Sequence, residues 1–269
     1  MPTSSLSKVL GIGHLFRFKL FSLVILLGGL YTSSLKAQES LSSDQIGMSL
    51  FQFQGGFLAP SGDVGELYGT FADIGFSYAY KTRSNVLIGS DFLFLFGDGV
   101  KNPNEIARGL RTSTGRIIGI EGEFINELVL QRGFIAGIYT GKIFPIFGPN
   151  PNSGLEIRLG VKYLEHRTWI ETREDDYPPL QDEYRKGYDR KRAGIATYQF
   201  IGYRHFSNNK FANFFIGVDF YQGFTTDYRS YNFDSMTATD NDYFDMFLGL
   251  RFGWTIPVYK RYADKFYIN

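Results

Sequence analysis

The sequence predicts an all-β chain, an eight-stranded antiparallel transmembrane β-barrel of the outer-membrane type preceded by a cleaved signal peptide. Three observations carry that expectation: one unbroken alternating segment, the character of the amino end, and the lengths of the connections between strands. In the alternating segment, Tyr243 to Ile256, Phe244, Met246, Leu248, Leu250, Phe252, Trp254 and Ile256 interleave with Tyr243, Asp245, Phe247, Gly249, Arg251, Gly253 and Thr255. Successive side chains of a strand point to opposite faces, so one face is purely apolar and the other carries an acid, a base and glycines. A soluble sandwich would bury the apolar face, whereas a barrel in lipid turns it outward.

At the amino end, Lys8, Arg17 and Lys19 precede the apolar run Leu20 to Leu30, and small or polar residues lead to Ala37. A basic region, a short apolar core and a small residue at the exit make a secretory signal peptide, expected over 1–37 with the barrel over 38–269. The run falls well short of the roughly 20 apolar residues that a spanning helix needs. Its removal takes four bases and no acid, leaving 24 Lys and Arg against 27 Asp and Glu. A mildly acidic chain offers no basic patch for nucleic acid. There is no cysteine, so an exported fold must stand without disulfides or thiolate metal sites. Aromatics reach 17% with 27 Phe and 18 Tyr, which suits the girdles of a membrane barrel. Beyond the signal no apolar stretch is long enough for a helical span, and in lipid a closed barrel is the other structure that satisfies every backbone group.

The first strand is expected from Ile46 to Leu58, where Ile46, Met48 and Leu50 keep one phase and Phe51, Phe53 and Phe57 the other, a slip that predicts a bulge near Leu50. The second runs from Gly69 to Lys81, with Ile74, Phe76, Tyr78 and Tyr80 opposite Asp73, Ser77 and Lys81. The third, Val86 to Phe96, carries Asp91 opposite Phe92 and Phe94, its alternation blurred by Leu87, Leu93 and Leu95. Glu127 to Pro145 reads either as one long strand or as two strands with a turn at Gln131-Arg132-Gly133. Outer-membrane barrels have short turns on the periplasmic side and long loops outside, and only one long strand preserves that alternation of connection lengths. The fifth, Gly154 to Arg173, sets Leu155, Ile157, Leu159, Val161 and Tyr163 against Glu156, Arg158, Gly160, Lys162 and His166, and is long enough for its far end to project beyond a bilayer. Ala193 to Phe206 and Phe211 to Thr225 follow, and Tyr243 to Ile256 completes the count, with Pro257 expected to stop its ladder. Both termini are then periplasmic. The tail from Val258 to Asn269 fits either an interfacial segment or a short extra strand.

Eight strands enclose a space that side chains just fill, so an open diffusion pore is not expected. The inward set holds Asp73, Asp91, Glu156, Asp219 and Asp245 against Lys142, Arg158, Lys162, Arg204 and Arg251. Buried charges persist when paired and hydrogen-bonded, so these ten predict an interior of ion pairs across the barrel.

The loops add less. Glu174 to Arg192 runs from acidic through tyrosine-rich to basic, and Tyr177, Tyr184, Arg185, Tyr188 and Arg190 are its candidates for partner contact. Thr112-Ser113-Thr114-Gly115 is a turn signal before Ile117, Ile118 and Ile120, as for a small hairpin over the barrel mouth. Asp234, Asp240 and Asp242 supply oxygens for calcium but at no EF-hand spacing. A nucleophilic site needs His beside a hydroxyl and an acid. His166 and His205, the two beyond the signal, fall at opposite ends of the barrel, so no catalytic set, cofactor or metal is expected.

The segments GPNPNSG (148–154), YLEHRTWIE (163–171), EYRKGYDR (183–190), FIGYRHFS (200–207) and RFGWTIPVY (251–259) resemble small, porin-like outer-membrane β-barrel proteins of the Bacteroidota. The resemblance implies the fold and an outer-membrane location in a Gram-negative envelope, and brings no catalytic residues with it. The expected role is non-enzymatic, that of an envelope structural or interaction protein with a closed interior. The alternatives are an accessory barrel of a secretion or gliding complex of the type IX kind, a narrow pore, and a lipid-modifying enzyme. Expected partners are outer-membrane lipids, the barrel-assembly machinery during insertion, and an envelope protein complex.

Overall fold

In the computed structural model, residues 44–172, 177–207 and 212–259 are described. The expected signal peptide and the tail beyond Tyr259 lie outside them, as does Phe211, where the seventh strand was expected to begin. Among the described residues the long strands are β1 (Met48–Gly62), β2 (Phe71–Lys81), β3 (Val86–Gly97), β4 (Glu127–Phe144), β5 (Gly154–Thr172), β6 (Arg192–His205), β7 (Phe214–Asp227) and β10 (Asp242–Tyr259). A two-residue hairpin, β8 (Tyr231–Asn232) with β9 (Thr237–Ala238), lies between β7 and β10. The eight long strands close into one antiparallel barrel in the order β1-β10-β7-β6-β5-β4-β3-β2. Each pairs with its neighbour in sequence, and closure is made by β1 and β10 from Met48↔Tyr259 to Gly62↔Asp245.

One rim carries the short connections at 82–85 and 145–153, together with the end of β6, the start of β7, the start of β1 and the end of β10. The other carries the long loops at 98–126, 177–191 and 228–241, and a one-turn helix, Asp63–Leu67, after β1. β4 is one strand of 18 residues and β5 one of 19, paired from Glu127↔Thr172 to Phe144↔Leu155. Their upper ends stand above their neighbours, since β3 pairs with β4 only from Gly97↔Gln131 downward.

The outside is apolar. Phe53, Phe76, Ile88, Ile138, Leu159, Ile195, Ile216, Leu250 and Phe252 are among its exposed residues. An outward ladder of rings, Phe76, Phe92, Phe134 and Tyr163, steps across β2 to β5 with centroids 5.6–5.9 Å apart. Offset aromatic contacts at this spacing add to area burial.

Two expectations about local structure are corrected. The register of β1 is continuous with both neighbours, with no bulge near Leu50. Met48, Leu50, Gln52 and Gln54 all point inward and Phe51 and Phe53 outward. The apparent phase slip arises because the lower interior is itself apolar, so both faces read as hydrophobic. For the same reason β3 looked blurred: Leu87, Leu93 and Leu95 face inward and are fully buried. Pro257 does not stop β10, which continues to Tyr259 opposite Met48. Among the described residues the β7 ladder ends at Trp254↔Phe214, and the ladder partner of Pro257 is Leu50 of β1.

Candidate functional site: the charged interior and the outer loops

Nine of the ten predicted interior residues lie inside the barrel: Asp73, Asp91, Glu156, Arg158, Lys162, Arg204, Asp219, Asp245 and Arg251 are all buried. Lys142 is the exception, exposed on the outer surface near the Phe144 ring while Ile143 points in. Glycine hides the true phase of β4. Its inward positions are Gln131, Gly133, Ile135, Gly137, Tyr139, Gly141 and Ile143, and nearly half of them have no side chain to mark the face. Those glycines also make room. A Cβ on Gly137 would lie 2.7 Å from Cδ of Lys162, and one on Gly141 would lie 3.1 Å from Cγ of Arg158.

Eight of these nine charges form three groups, and Asp245 stands apart at the upper end. In the lowest, Glu156 accepts from Arg158 Nε at 2.7 Å and from Arg204 Nε at 2.6 Å. Arg204 reaches Gln52 Oε1 at 2.8 Å and Thr255 Oγ1 at 3.2 Å. The Arg158 guanidinium lies 4.4 Å from the Phe200 ring centroid and 4.3 Å from that of Phe215. Among the described residues its two terminal nitrogens have no acceptor, and the aromatic faces supply the complementary charge. In the second group Lys162 donates to Asp91 at 2.5 Å and lies over the Tyr198 ring at 4.5 Å. In the third, Arg251 binds Asp73 with both terminal nitrogens, at 2.9 and 3.0 Å, and Asp219 with Nε. One planar fork thereby holds Asp73 in bidentate fashion while its Nε reaches Asp219, a geometry that a lysine ammonium does not offer.

Apolar layers bound this region. Below it Met48, Leu50, Ala79, Leu87, Ile143 and Phe206 are buried, and above it Leu58, Leu93, Leu95, Ile135, Leu164 and Phe247. Three polar residues important at the two ends were not among the predicted ten. Lys81, at the lower rim, donates to Asn152 Oδ1 at 2.8 Å and to the Ile46 carbonyl at 2.9 Å. Its side chain has the same phase as Asp73 and Ser77, so alternation marks it as inward. Asn152 also accepts from the Ile46 amide at 2.9 Å, so the GPNPNSG segment ties the chain entering β1 to the lower turns. At the upper end His166 and Arg192 face Asp245. His166 Nε2 is 3.0 Å from Asp245 Oδ2, which also accepts from Thr225 Oγ1 at 2.5 Å. Arg192 Nη1 is 3.8 Å from Asp245 Oδ1. The Thr225 hydroxyl thus donates to the carboxylate. His205, at the other rim, stacks on Phe214 at 5.1 Å.

The outer loops have a small core of their own. Ile106, Ala107, Ile117, Ile125, Ile170, Leu180 and Tyr188 are buried together, with Tyr177 and Phe233 packed against them. The turn at Thr112 to Gly115 forms, with bridges Arg111↔Ile117 and Ile118↔Phe124, but only Ile117 turns in, while Ile118 and Ile120 are exposed. Of the residues expected to offer partner contact, Tyr188 is buried with its ring edge-on to Phe233, and Tyr177 packs inward too. Burial pushes the Tyr188 phenol above its ordinary pKa. Tyr184 is exposed, Arg185 stacks on Trp169 at 3.7 Å, and Arg190 pairs with Asp234 at 3.2 Å. Asp234 is therefore occupied by a guanidinium, and among the described residues no three His, Cys, Asp or Glu side chains converge as for a metal.

No family model matches the chain, and no curated protein matches it. Solved structures do. Ail, the attachment invasion locus protein of Yersinia pestis, solved in complex with the heparin analogue sucrose octasulfate, is 13% identical, with a TM-score of 0.39 over 78% of this chain and 99% of that one. The outer membrane protein OprG from Pseudomonas aeruginosa is 10% identical, with a TM-score of 0.36 over 80% of this chain and 99% of its own. The likeness is one of general architecture, and the eight-stranded closed barrel stands on the ladder of this chain itself.

Proposed function

We propose that the chain is an outer-membrane barrel of a Gram-negative envelope, related to the small Bacteroidota barrels, whose closed interior makes it a rigid non-enzymatic platform for its outer loops. One observation carries this reading: the barrel is inside out. Its outer belt is apolar, with Leu248 55%, Phe76 60% and Leu250 65% exposed, while Arg158, Arg204 and Arg251 inside are at most 1% exposed. Contiguous apolar surface on this scale belongs against lipid or a partner. These three arginines are sealed from solvent, whereas a conducting lumen would leave them in contact with water. The role is structural or interactive, with both termini on the periplasmic side and the long loops outside.

Outer-membrane lipids are the first partner, and the barrel-assembly machinery acts during insertion. An accessory place in a larger envelope complex is the second reading, favoured by the folded outer loops, which hold their own buried core and present Tyr184 and the Trp169–Arg185 stack.

Leu248→Arg tests the membrane assignment. On the lipid face near the midplane the charge is expected to cost about 2–4 kcal/mol and to lower the yield of assembled barrel. Equal yield in lipid vesicles would show that the belt does not face hydrocarbon.

A further inference from the structure

Outward arginines gather where β4 and β5 rise above the apolar belt. Arg132 of β4 and Arg167 of β5 are direct ladder partners on the outer face, and Leu130 and Trp169 are the next outward pair above them. Arg167 lies over the Trp169 ring at 4.8 Å, and Arg185, from the loop after β5, covers the same ring at 3.7 Å. All three arginines are partly buried, and among the described residues none of them pairs with an acid. Glu165, on the same face of β5, is taken by Lys191 at 2.8 Å, and Glu171, the next outward residue after Trp169, pairs with none of the three. Like charges directly opposite each other weaken a ladder, so Arg132 and Arg167 call for an anion between them.

The second observation is an apolar groove beside these cations. Arg132 lines one side of an open groove of about 390 Å³, whose outward lining is Phe57, Ala72, Phe96 and Leu130. Phe57 is 59% and Phe96 39% exposed, so the groove is apolar and reachable from outside. Asp98, the one acid of the lining, follows the end of β3 on the long-loop rim. Arg132 spends Nη1 on the carbonyls of Gln131 at 2.8 Å and Gly97 at 3.3 Å, which leaves Nε and Nη2 for an outside acceptor. Stacking occupies the faces of the other two guanidiniums and leaves their edges, which carry the donors, free. One outward position below Arg132 is Phe134, a member of the ring ladder, so the cations stand at the upper margin of the belt.

We propose that this face binds one anionic lipid, its phosphate between Arg132 and Arg167 and an acyl chain along the groove toward Phe57. The planar guanidinium fork matches phosphate oxygens, and a phosphate placed there offsets the repulsion between the two arginines. A soluble anion would use the arginines and leave the groove empty, so the groove is what selects a lipid. The proposal rests on the membrane reading above, because lipid phosphates lie at this level only if the apolar belt faces hydrocarbon.

The chain has two tryptophans, Trp169 and Trp254, so Trp254→Phe leaves Trp169 as the reporter beside the site. The test is quenching of Trp169 fluorescence in vesicles of mixed phosphatidylcholine and phosphatidylglycerol, with the acyl chains of one lipid or the other brominated. Phosphatidylglycerol is expected to be preferred about tenfold, the scale set by an anionic lipid beside unpaired cations. The preference should vanish in Arg132→Gln with Arg167→Gln, and fall in Arg167→Gln alone should the double variant fail to assemble. Lys142→Gln, an outward cation at the other end of β4, should leave it unchanged. Equal quenching by the two lipids, or a preference that survives loss of both arginines, overturns the site while leaving the barrel in the bilayer. Quenching by neither lipid tells against the membrane reading itself, and the proposal falls with it. Inorganic phosphate, compared with chloride at equal ionic strength, should not change the preference; if it abolishes it, the arginines hold a soluble anion and the lipid assignment is wrong.

Discussion

At Arg251 one side chain decides whether two buried carboxylates are tolerable. Its fork holds Asp73 and Asp219, and Tyr221 accepts a further hydrogen bond at 3.2 Å. Replacing it with methionine keeps the bulk and abandons both acids. Breaking a buried pair costs far more than the pair contributes, because the remaining charge stays unpaired. Arg251→Met is therefore expected to lose about 3–5 kcal/mol in urea unfolding of the lipid-reconstituted barrel. Adding Asp73→Asn and Asp219→Asn should recover part of that loss, and no recovery would mean that packing, not charge, dominates at this position. In the loops a similar grip operates on a smaller scale: the hydrogen bonds that Arg229 donates to Asp189 hold its guanidinium above its ordinary pKa.

Among the elements, β4 shows where a strand trades its own side chains for those of its neighbours. Gly133, Gly137 and Gly141 sit at alternate inward positions, and the long cations of β5 occupy the space. A Cβ on Gly137 would come within 2.3 Å of the Val161 carbonyl as well as crowding Lys162. Gly137→Ala is expected to destabilise the barrel by roughly 1–3 kcal/mol, the usual range for overpacking, seen as a lower urea midpoint. An unchanged midpoint would show that β4 and β5 are not in such close contact.

The same strand shows what the sequence could reveal. Where one face was apolar and the other polar, as in β2, β5, β7 and β10, alternation placed every charged residue on its correct side, and connection lengths correctly kept β4 whole. Where inward positions were glycine, Lys142 was put on the wrong face. Where inward positions were leucine or methionine, as in β1 and β3, period-2 reading had no contrast to use. Tertiary partners were beyond alternation altogether: nothing local says that His166 and Arg192 meet Asp245, or that Tyr188 turns into a loop core while Tyr184 stays exposed.

For the whole molecule, the interior is a stack of layers: apolar at the lower rim, ionic and aromatic at mid-height, apolar again, then polar beneath the folded outer loops. Each layer excludes water for a different reason, and together they make the barrel a filled cylinder. Stability, closure and the inverted surface are then one property of a small barrel, since an eight-stranded ring has room for side chains and little else. The measurement that tests this most directly is ion conductance of the purified chain in a planar lipid bilayer. The filled interior predicts insertion without discrete current steps, and reproducible steps from the parent sequence would contradict it.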